Sequence, residues 1–171
     1  MKKAVLVGAG VLAAIAAFWA FSQKAAAPDE VVAATDTSPA PRIVSVGGSI
    51  SELVVALGAG EALVGVDTSS IYPAEVLDPL PKVGYQRRLS AEGVLALNPS
   101  LVLLGDEAGP PPVIAKLRKS GLKVVQLAKV ETPEQAFARV TQLGEVLDAT
   151  DAAAALNARL KKQTQALTKA T

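Results

Sequence analysis

The residues best suited to ligand chemistry lie in a polar loop, residues 67–73, that follows a short apolar run at residues 63–66. The loop carries Tyr72 directly before a proline. In an open α/β sheet, the loop at the carboxyl end of a strand is where ligand contacts are placed. The chain contains no cysteine and no histidine. A bound metal or metal complex is therefore expected to take an oxygen ligand, and we predict that Tyr72 supplies it.

The elements that must position this loop alternate along the chain. Apolar runs predict four strands, and capping residues and apolar spacing predict the helices between them. The predicted strands are residues 42–46, 63–66, 101–104 and 123–127, and the predicted helices are residues 52–57, 91–97, 111–120, 132–147 and 152–169. Ser49 followed by Glu52 predicts a capping box, and Ser90 and Asp151 are predicted to cap later helices.

This order predicts an α/β fold in which a parallel sheet is flanked by helices. Right-handed crossovers place the loops that follow the strands on one edge of the sheet. We therefore expect residues 45–49, 68–72 and 105–110 to lie together. The last helix has no strand after it. We expect it to leave the lobe without a packing partner, as a connector.

The first residues of the chain have the pattern of an export signal. Met1, Lys2 and Lys3 form a short basic start, residues 4–21 are almost entirely apolar, and small residues lead to Pro28. This pattern predicts an export signal over residues 1–27, with an uncleaved membrane anchor as the alternative. Residues 28–41 are rich in Ala, Thr, Ser and Pro and are predicted to be a flexible linker.

Composition excludes several classes of function. The chain has 171 residues and a net charge of +1, with no dense run of lysine or arginine, so nucleic acid is not an expected partner. The absence of cysteine and histidine removes Ser-His-Asp and Cys-His catalysis. No phosphate-binding loop with lysine is present. We predict that the protein is not an enzyme.

Several segments together resemble the periplasmic substrate-binding proteins of bacterial haem ABC importers. They are residues 42–53, 56–60, 64–69, 72–73, 80–87, 89–93 and 108–110. The resemblance implies the fold shared with cobalamin- and siderophore-binding proteins, in which one long helix joins two α/β lobes around a ligand cleft. Residues 42–150 match the N-terminal lobe and residues 151–171 match the start of the inter-lobe helix. The C-terminal lobe is expected to be absent.

By this resemblance Tyr72 is the axial ligand to haem iron, and a tyrosine oxygen is an established ligand of haem iron. A loop aromatic packed against the sheet is the alternative for Tyr72. Tyr85, Arg87 and Arg88 are possible haem contacts, because arginine can form two parallel hydrogen bonds to a propionate. A solvated turn is the alternative for these three residues.

The resemblance also implies a docking residue for the membrane permease. In this fold a surface glutamate on each lobe inserts among arginines of the permease. Glu92 is our candidate for the first lobe, and Glu52 is the other candidate. Stabilisation of the helix dipole is the alternative role for Glu92, since it closely follows the Ser90 cap.

The implied function is capture of haemin in the periplasm by a monomer. Delivery would be to an ABC permease and its ATPase in the inner membrane, with haem as the transported ligand. A cobalamin- or ferric-siderophore-binding protein of the same fold is one alternative. A truncated lobe with no ligand is another.

Overall fold

Short strands and helices alternate along the described part of the chain. The structure, a computed structural model, describes residues 40–170, with side chains through residue 166. The elements in chain order are β1 (Ile43–Val46), α1 (Gly48–Ala56), β2 (Leu63–Val66), α2 (Ala74–Leu77), β3 (Gly84–Tyr85), β4 (Arg88–Leu89), α3 (Ala91–Ala96), β5 (Leu101–Leu104), α4 (Pro111–Lys119), β6 (Lys123–Gln126), α5 (Pro133–Val146) and α6 (Thr150–Ala170).

The central sheet is parallel and has the strand order β2-β1-β5-β6. The four strands are those predicted from the apolar runs. The chain crosses β1 on its way from β2 to β5, so the winding direction reverses between β1 and β5. In open α/β sheets this reversal opens a crevice at the carboxyl ends of the two strands, where ligands bind.

The two faces of the sheet are covered by different helices. Side chains alternate along each strand: Ile43 and Leu103 pack on one face, whereas Val44 and Val102 pack on the other. The first face is covered by α1, α5 and α6, and the second by α3, α4 and the β3–β4 hairpin. Each face of the sheet therefore has its own hydrophobic core.

Two predicted helix starts are confirmed. The Ser90 hydroxyl accepts a hydrogen bond from the backbone nitrogen of Gly93 at 3.0 Å and caps α3. The Thr132 hydroxyl accepts from the Gln135 backbone nitrogen and caps α5, and the Thr132 backbone nitrogen donates to the Gln135 side-chain oxygen, which completes a capping box. Both caps use partners within one turn, which is why the sequence signals them.

The Ser49 capping box and the Asp151 cap were wrong. α1 begins at Gly48 with Gly47 as its cap, and no side chain caps it. Gly47 has φ 107°, a conformation that favours glycine, so the chain turns into the helix directly after β1. α6 begins at Thr150, which places Asp151 inside its first turn, where its charge still favours the helix dipole.

The last helix packs on α5, contrary to the expectation that it would leave the lobe alone. The Asn157 amide donates to the Phe137 carbonyl and to the Thr141 hydroxyl, each at 3.0 Å. The Lys161 ammonium lies 5.5 Å from the centre of the Phe137 ring. These contacts fix the first half of α6 to the lobe.

The predicted export signal, residues 1–27, lies outside the described residues, as does the predicted linker up to residue 39. Ala40, Pro41 and Arg42 are exposed and belong to no helix or strand. Among the helices that the structure describes, none combines the length and the apolar character needed to cross a membrane.

Candidate ligand-binding site

The loop that carries Tyr72 is held by the buried carboxylate of Asp67. Its Oδ1 accepts hydrogen bonds from the Gly47 backbone nitrogen at 2.8 Å and the Ser70 hydroxyl at 2.7 Å. Its Oδ2 accepts from the Ser69 backbone nitrogen at 2.9 Å and the Ser69 hydroxyl at 2.5 Å. Burial alone would raise the pKa of Asp67, but the bonds from Ser69, Gly47 and Ser70 together hold that pKa below its ordinary value.

A chain of buried hydroxyls extends this network to the sheet and to α1. The Ser51 hydroxyl oxygen lies within hydrogen-bond distance of the Ser45 hydroxyl, at 2.8 Å, and of the Ser70 hydroxyl, at 2.7 Å. All three serines are fully buried. β1, α1 and the loop are therefore joined below the surface by contacts that do not involve Tyr72.

Close packing between the backbone of the Tyr72 loop and that of α1 also holds the loop in place. A Cβ atom on Gly48 would lie 2.8 Å from the Ser69 carbonyl oxygen, so the loop rests directly on the first turn of α1. The loops predicted to share one edge of the sheet do so: Gly47, Ser69 and Gly105 line the same crevice.

Tyr72 is exposed and faces an open cavity of about 620 Å³. The exposed fraction of the Tyr72 side chain is 67%, and that of Ile71 is 69%. The wall of the cavity is largely aliphatic and comes from α1, α5 and α6. It includes Leu53, Val55, Val140, Leu156 and Leu160. The exposed phenol therefore stands at the edge of an apolar surface that could accept a flat, hydrophobic ligand.

A second, more polar crevice of about 560 Å³ lies at the carboxyl ends of β1 and β5. It is lined by the first turn of α1 and by Gln86, Asp106, Glu107 and Lys129. Ser49, Val130 and Arg139 line both the crevice and the cavity. The two spaces thus meet along these three residues.

The structure does not bring Tyr85, Arg87 and Arg88 into the Tyr72 cavity. They lie on the β3–β4 hairpin, where Tyr85 pairs with Arg88. Arg87 forms an ion pair with Glu107 at 2.6 Å. The hydrogen bond and the charge of Glu107 raise the pKa of Arg87, and Arg87 lowers the pKa of Glu107 in the same way.

None of these three residues lines either space, whereas Gln86 lines the crevice. The hairpin is still attached to the Tyr72 loop, because the Thr68 backbone nitrogen donates to the Gly84 carbonyl at 2.9 Å. The proposed haem contacts of the hairpin therefore remain predictions.

The two candidate docking glutamates lie in different places. Glu92 is in the first turn of α3, and its side chain is 83% exposed. It pairs with Lys116 at 2.8 Å, and this hydrogen bond and charge lower the pKa of Glu92. Glu52 instead lines the Tyr72 cavity. Glu92 thus remains accessible from outside when the cavity is filled.

Comparison with known proteins identifies the family. Residues 43–171 match the periplasmic binding protein family. The chain belongs to this family. The parallel four-stranded sheet with flanking helices is consistent with one lobe of its fold, as the sequence predicted.

Solved periplasmic binding proteins resemble this one in structure. The periplasmic heme-binding protein RhuT from Roseiflexus sp. RS-1, in apo form, is 39% identical with a TM-score of 0.72, over 75% of this chain and 49% of that chain. A periplasmic heme-binding protein from Pseudomonas aeruginosa is 42% identical with a TM-score of 0.72, over 75% of this chain and 46% of that chain. The chain thus spans about half the length of these structures.

A curated relative carries a different name. The vitamin B12-binding protein of Vibrio cholerae serotype O1 is 35% identical over 86 residues, which are 50% of this chain and 31% of that protein. The chain thus matches about a third of this relative. Both kinds of relative were anticipated by the resemblance to the haem and cobalamin branches of one fold.

Sequence reasoning missed Arg139 in this periplasmic binding protein. Arg139 lies on α5, beside the buried Val140, and lines both the Tyr72 cavity and the polar crevice. Its guanidinium donates to the Ala128 carbonyl, which follows β6. The sequence does show a charged residue next to the buried face of an amphipathic helix. The contact partners that define the role of Arg139, however, lie on other elements.

Proposed function

We propose that this chain forms the first lobe of a periplasmic substrate-binding protein that captures haemin for an ABC importer. The observation that carries the proposal is the exposed phenol of Tyr72 at the edge of an aliphatic cavity. Tyr72 would be the axial ligand to the ferric iron. The similarity to heme-binding proteins at about 40% identity supports haemin as the ligand.

The cavity suits both the porphyrin ring and the iron of haemin. A porphyrin is a flat, largely apolar ring, and covering it with aliphatic side chains contributes about 25 cal/mol for each Å² removed from water. Leu53, Val140, Leu156 and Leu160 provide such a surface. Tyr72 adds an oxygen donor from a loop whose conformation the Asp67 network fixes. Pre-formed geometry lowers the cost of ordering the site on binding.

The proposed role is capture and release. The iron–oxygen bond to Tyr72 would form on binding and break on release, and the ligand would leave chemically unchanged, so the protein would not be an enzyme. Residues 1–27 would direct export to the periplasm and residues 28–41 would form a linker. Residues 42–150 would form the binding lobe of a monomer, and residues 151–171 would begin the helix that joins the lobes in relatives. The partners would be an inner-membrane permease and its ATPase.

Glu92 is the proposed docking residue. It is exposed on α3, which covers the face of the sheet opposite to the helices that line the cavity. Glu52 lines the cavity itself, so a bound ligand would compete with a permease for it. The lobe could therefore hold its ligand and present Glu92 at the same time.

The test is a visible-absorption titration of the chain with haemin, run on the wild type, Tyr72→Phe and Tyr85→Phe. The chain has only two tyrosines, so these two variants cover every phenol. A saturable ferric tyrosinate spectrum that Tyr72→Phe loses and Tyr85→Phe retains supports the proposal. A spectrum lost only in Tyr85→Phe would move the iron ligand to the hairpin.

Cobalamin is the second candidate, favoured by the 35% identity to a vitamin B12-binding protein. The same titration with cyanocobalamin separates the two ligands. Saturable binding of cyanocobalamin without binding of haemin would replace the proposed ligand. A folded chain that binds neither would indicate a lobe without a ligand of its own. A ferric siderophore would be tested in the same format.

A further inference from the structure

We infer that Arg139 is the residue that anchors an anionic group of the bound ligand, and so selects an amphipathic carboxylate over a neutral analogue. The inference rests on the proposed function, because haemin is the ligand whose two propionates it would recognise. It concerns a residue on α5 rather than the arginines of the β3–β4 hairpin.

The first observation is the position of Arg139 between the cavity and the crevice. Arg139 is one of three residues shared by the aliphatic cavity and the polar crevice, together with Ser49 and Val130. It is the cationic member of that set. A ligand whose apolar body fills the Tyr72 cavity would direct its polar substituents toward the crevice, and Arg139 lies where the two spaces meet.

The second observation is that Arg139 forms no ion pair with a carboxylate among the described residues. Among the described residues the ion pairs are Arg87 with Glu107, Lys116 with Glu92, and Lys129 with Glu131. Lys129, the other cation that lines the crevice, is thus already paired with a carboxylate, and Arg87 is paired with Glu107 of the crevice wall. Arg139 takes part in none of these pairs, so its charge is available to a carboxylate from a ligand.

The third observation is hydrogen bonding. The guanidinium donates from one terminal nitrogen to the Ala128 carbonyl. Its Nε is buried and has no hydrogen-bond partner in the structure. A guanidinium offers five donors in a planar fork that matches a carboxylate. The Ala128 bond orients the group. Because Nε is enclosed by protein, the donors left for a ligand are those of the terminal nitrogens.

The acidic residues of the cavity also affect where the anionic edge of the ligand would lie. Glu52 and Glu75 line the Tyr72 cavity but not the crevice, and both are exposed. Like charges repel, so these carboxylates disfavour a propionate at their end of the cavity. The crevice also has two carboxylates, Asp106 and Glu107, but Lys129 and Arg139 line it as well, and Glu107 is paired with Arg87. The anionic edge of the ligand is therefore favoured on the crevice side, at Arg139.

The experiment compares haemin with haemin dimethyl ester, which keeps the iron and the ring but has no charged propionates. We expect the wild-type chain to bind haemin more tightly than the ester. Arg139→Met should weaken haemin binding about 10-fold to 100-fold, the range for losing a hydrogen bond to a charged group. The affinity for the ester and the tyrosinate spectrum should not change.

Two variants serve as controls. Arg139→Lys keeps the charge and should retain more haemin affinity than Arg139→Met; lysine and methionine are both compatible with a helix. Arg118→Met removes an arginine of α4 that bonds Gln126 and lines neither space, and should change neither affinity.

The outcomes separate this inference from the proposed function. Equal affinity of the wild type for haemin and its ester would overturn the inference even if Arg139→Met failed to fold. So would an equal loss of both ligands in Arg139→Met, or no loss of either. In each of these cases a tyrosinate spectrum that depends on Tyr72 would leave the proposed function intact, whereas its absence in the wild type would refute that function.

Discussion

The carboxylate of Asp67 accepts a hydrogen bond from the backbone nitrogen of Gly47 at 2.8 Å, and this bond ties the end of β2 to the end of β1. Gly47 caps α1, and Asp67 begins the loop that leads to Tyr72. One buried contact thereby fixes the helix start and the Tyr72 loop relative to each other.

Replacing Asp67 with alanine should destabilise the lobe by about 2 to 4 kcal/mol. The substitution leaves the buried backbone nitrogen of Gly47 without an acceptor and removes the carboxylate acceptor of the Ser70 hydroxyl. An unsatisfied buried group costs about 1 to 3 kcal/mol, and a lost hydrogen bond to a charged group costs about 1.5 to 3 kcal/mol. Urea unfolding followed by circular dichroism measures the loss. Asp106→Ala, at an exposed carboxylate after β5, is the matched control and should be neutral. Equal stability of the two variants would refute the role given to Asp67.

The stability of the lobe should fall in acid, in part because of Asp67. Its pKa is lowered in the folded state, so the unfolded state binds more protons and stability rises with pH across this window. The contribution is fully present above the unfolded carboxyl pKa of about 3.9 and is lost as pH falls through the folded value. Urea midpoints of the wild type and Asp67→Asn should converge below about pH 4. A gap between them that does not change with pH would contradict this prediction.

Gly144→Ala should destabilise the lobe by about 1 to 2 kcal/mol, although alanine is the better helix former. A Cβ atom at this position would collide with the Cβ of Ala153 and lie 3.2 Å from the Ala149 carbonyl oxygen. α5 and α6 would have to move apart. Gly60→Ala is the control, because its Cβ would make only ordinary contacts, at 3.5 Å from Val55 and Val76. Chemical unfolding that showed Gly144→Ala to be stabilising would exclude this close packing.

Lys116→Ala should raise the pKa of Glu92 toward its ordinary value, because Lys116 supplies the hydrogen bond and charge that lower it. A carboxyl-detected NMR titration measures the change. Both groups are exposed, so salt should reduce the effect in the wild type. Lys129→Ala, which removes the partner of Glu131, should leave Glu92 unchanged. A Glu92 titration that Lys116→Ala does not alter would refute the pairing.

Glu92→Gln should leave haemin binding intact and weaken binding to the reconstituted permease by about 10-fold, the scale of one lost charge-assisted hydrogen bond. Glu134→Gln, on the first turn of α5, is the control. A loss confined to Glu52→Gln would move the docking role to Glu52. Unchanged permease binding in both Glu92→Gln and Glu52→Gln would refute docking through this lobe.

The sequence predicted the features whose causes are local. The four strands of the sheet are short apolar runs, and the predicted Ser90 cap and the predicted helix start at Thr132 both depend on bonds within one turn. The start of α1 was predicted wrongly because its determinants are the backbone of Gly47 and a carboxylate 20 residues away. The role of Arg87 was hidden for the same reason, since Glu107 lies 20 positions along the chain.

The residues of the candidate site also differ in whether the causes of their placement are local. Tyr72 was predicted from its own loop motif, and the structure places it at a cavity edge. Arg139 and the buried serines acquire their surroundings only when α1, α5 and the ends of β1 and β2 come together. A single sequence specifies which side chains are present, but it does not give the distances between elements that decide which charges are paired.

The Asp67 network also divides the loop into positions that can and cannot be varied. Ile71 and Tyr72 are exposed and stand outside the network, whereas Ser70 and Asp67 are fully buried within it. A combinatorial library randomised at residues 71 and 72 should yield mostly folded proteins, and one extended to residues 67 and 70 should yield few. The lobe is therefore a scaffold on which these two exposed positions can be varied without redesigning the fold.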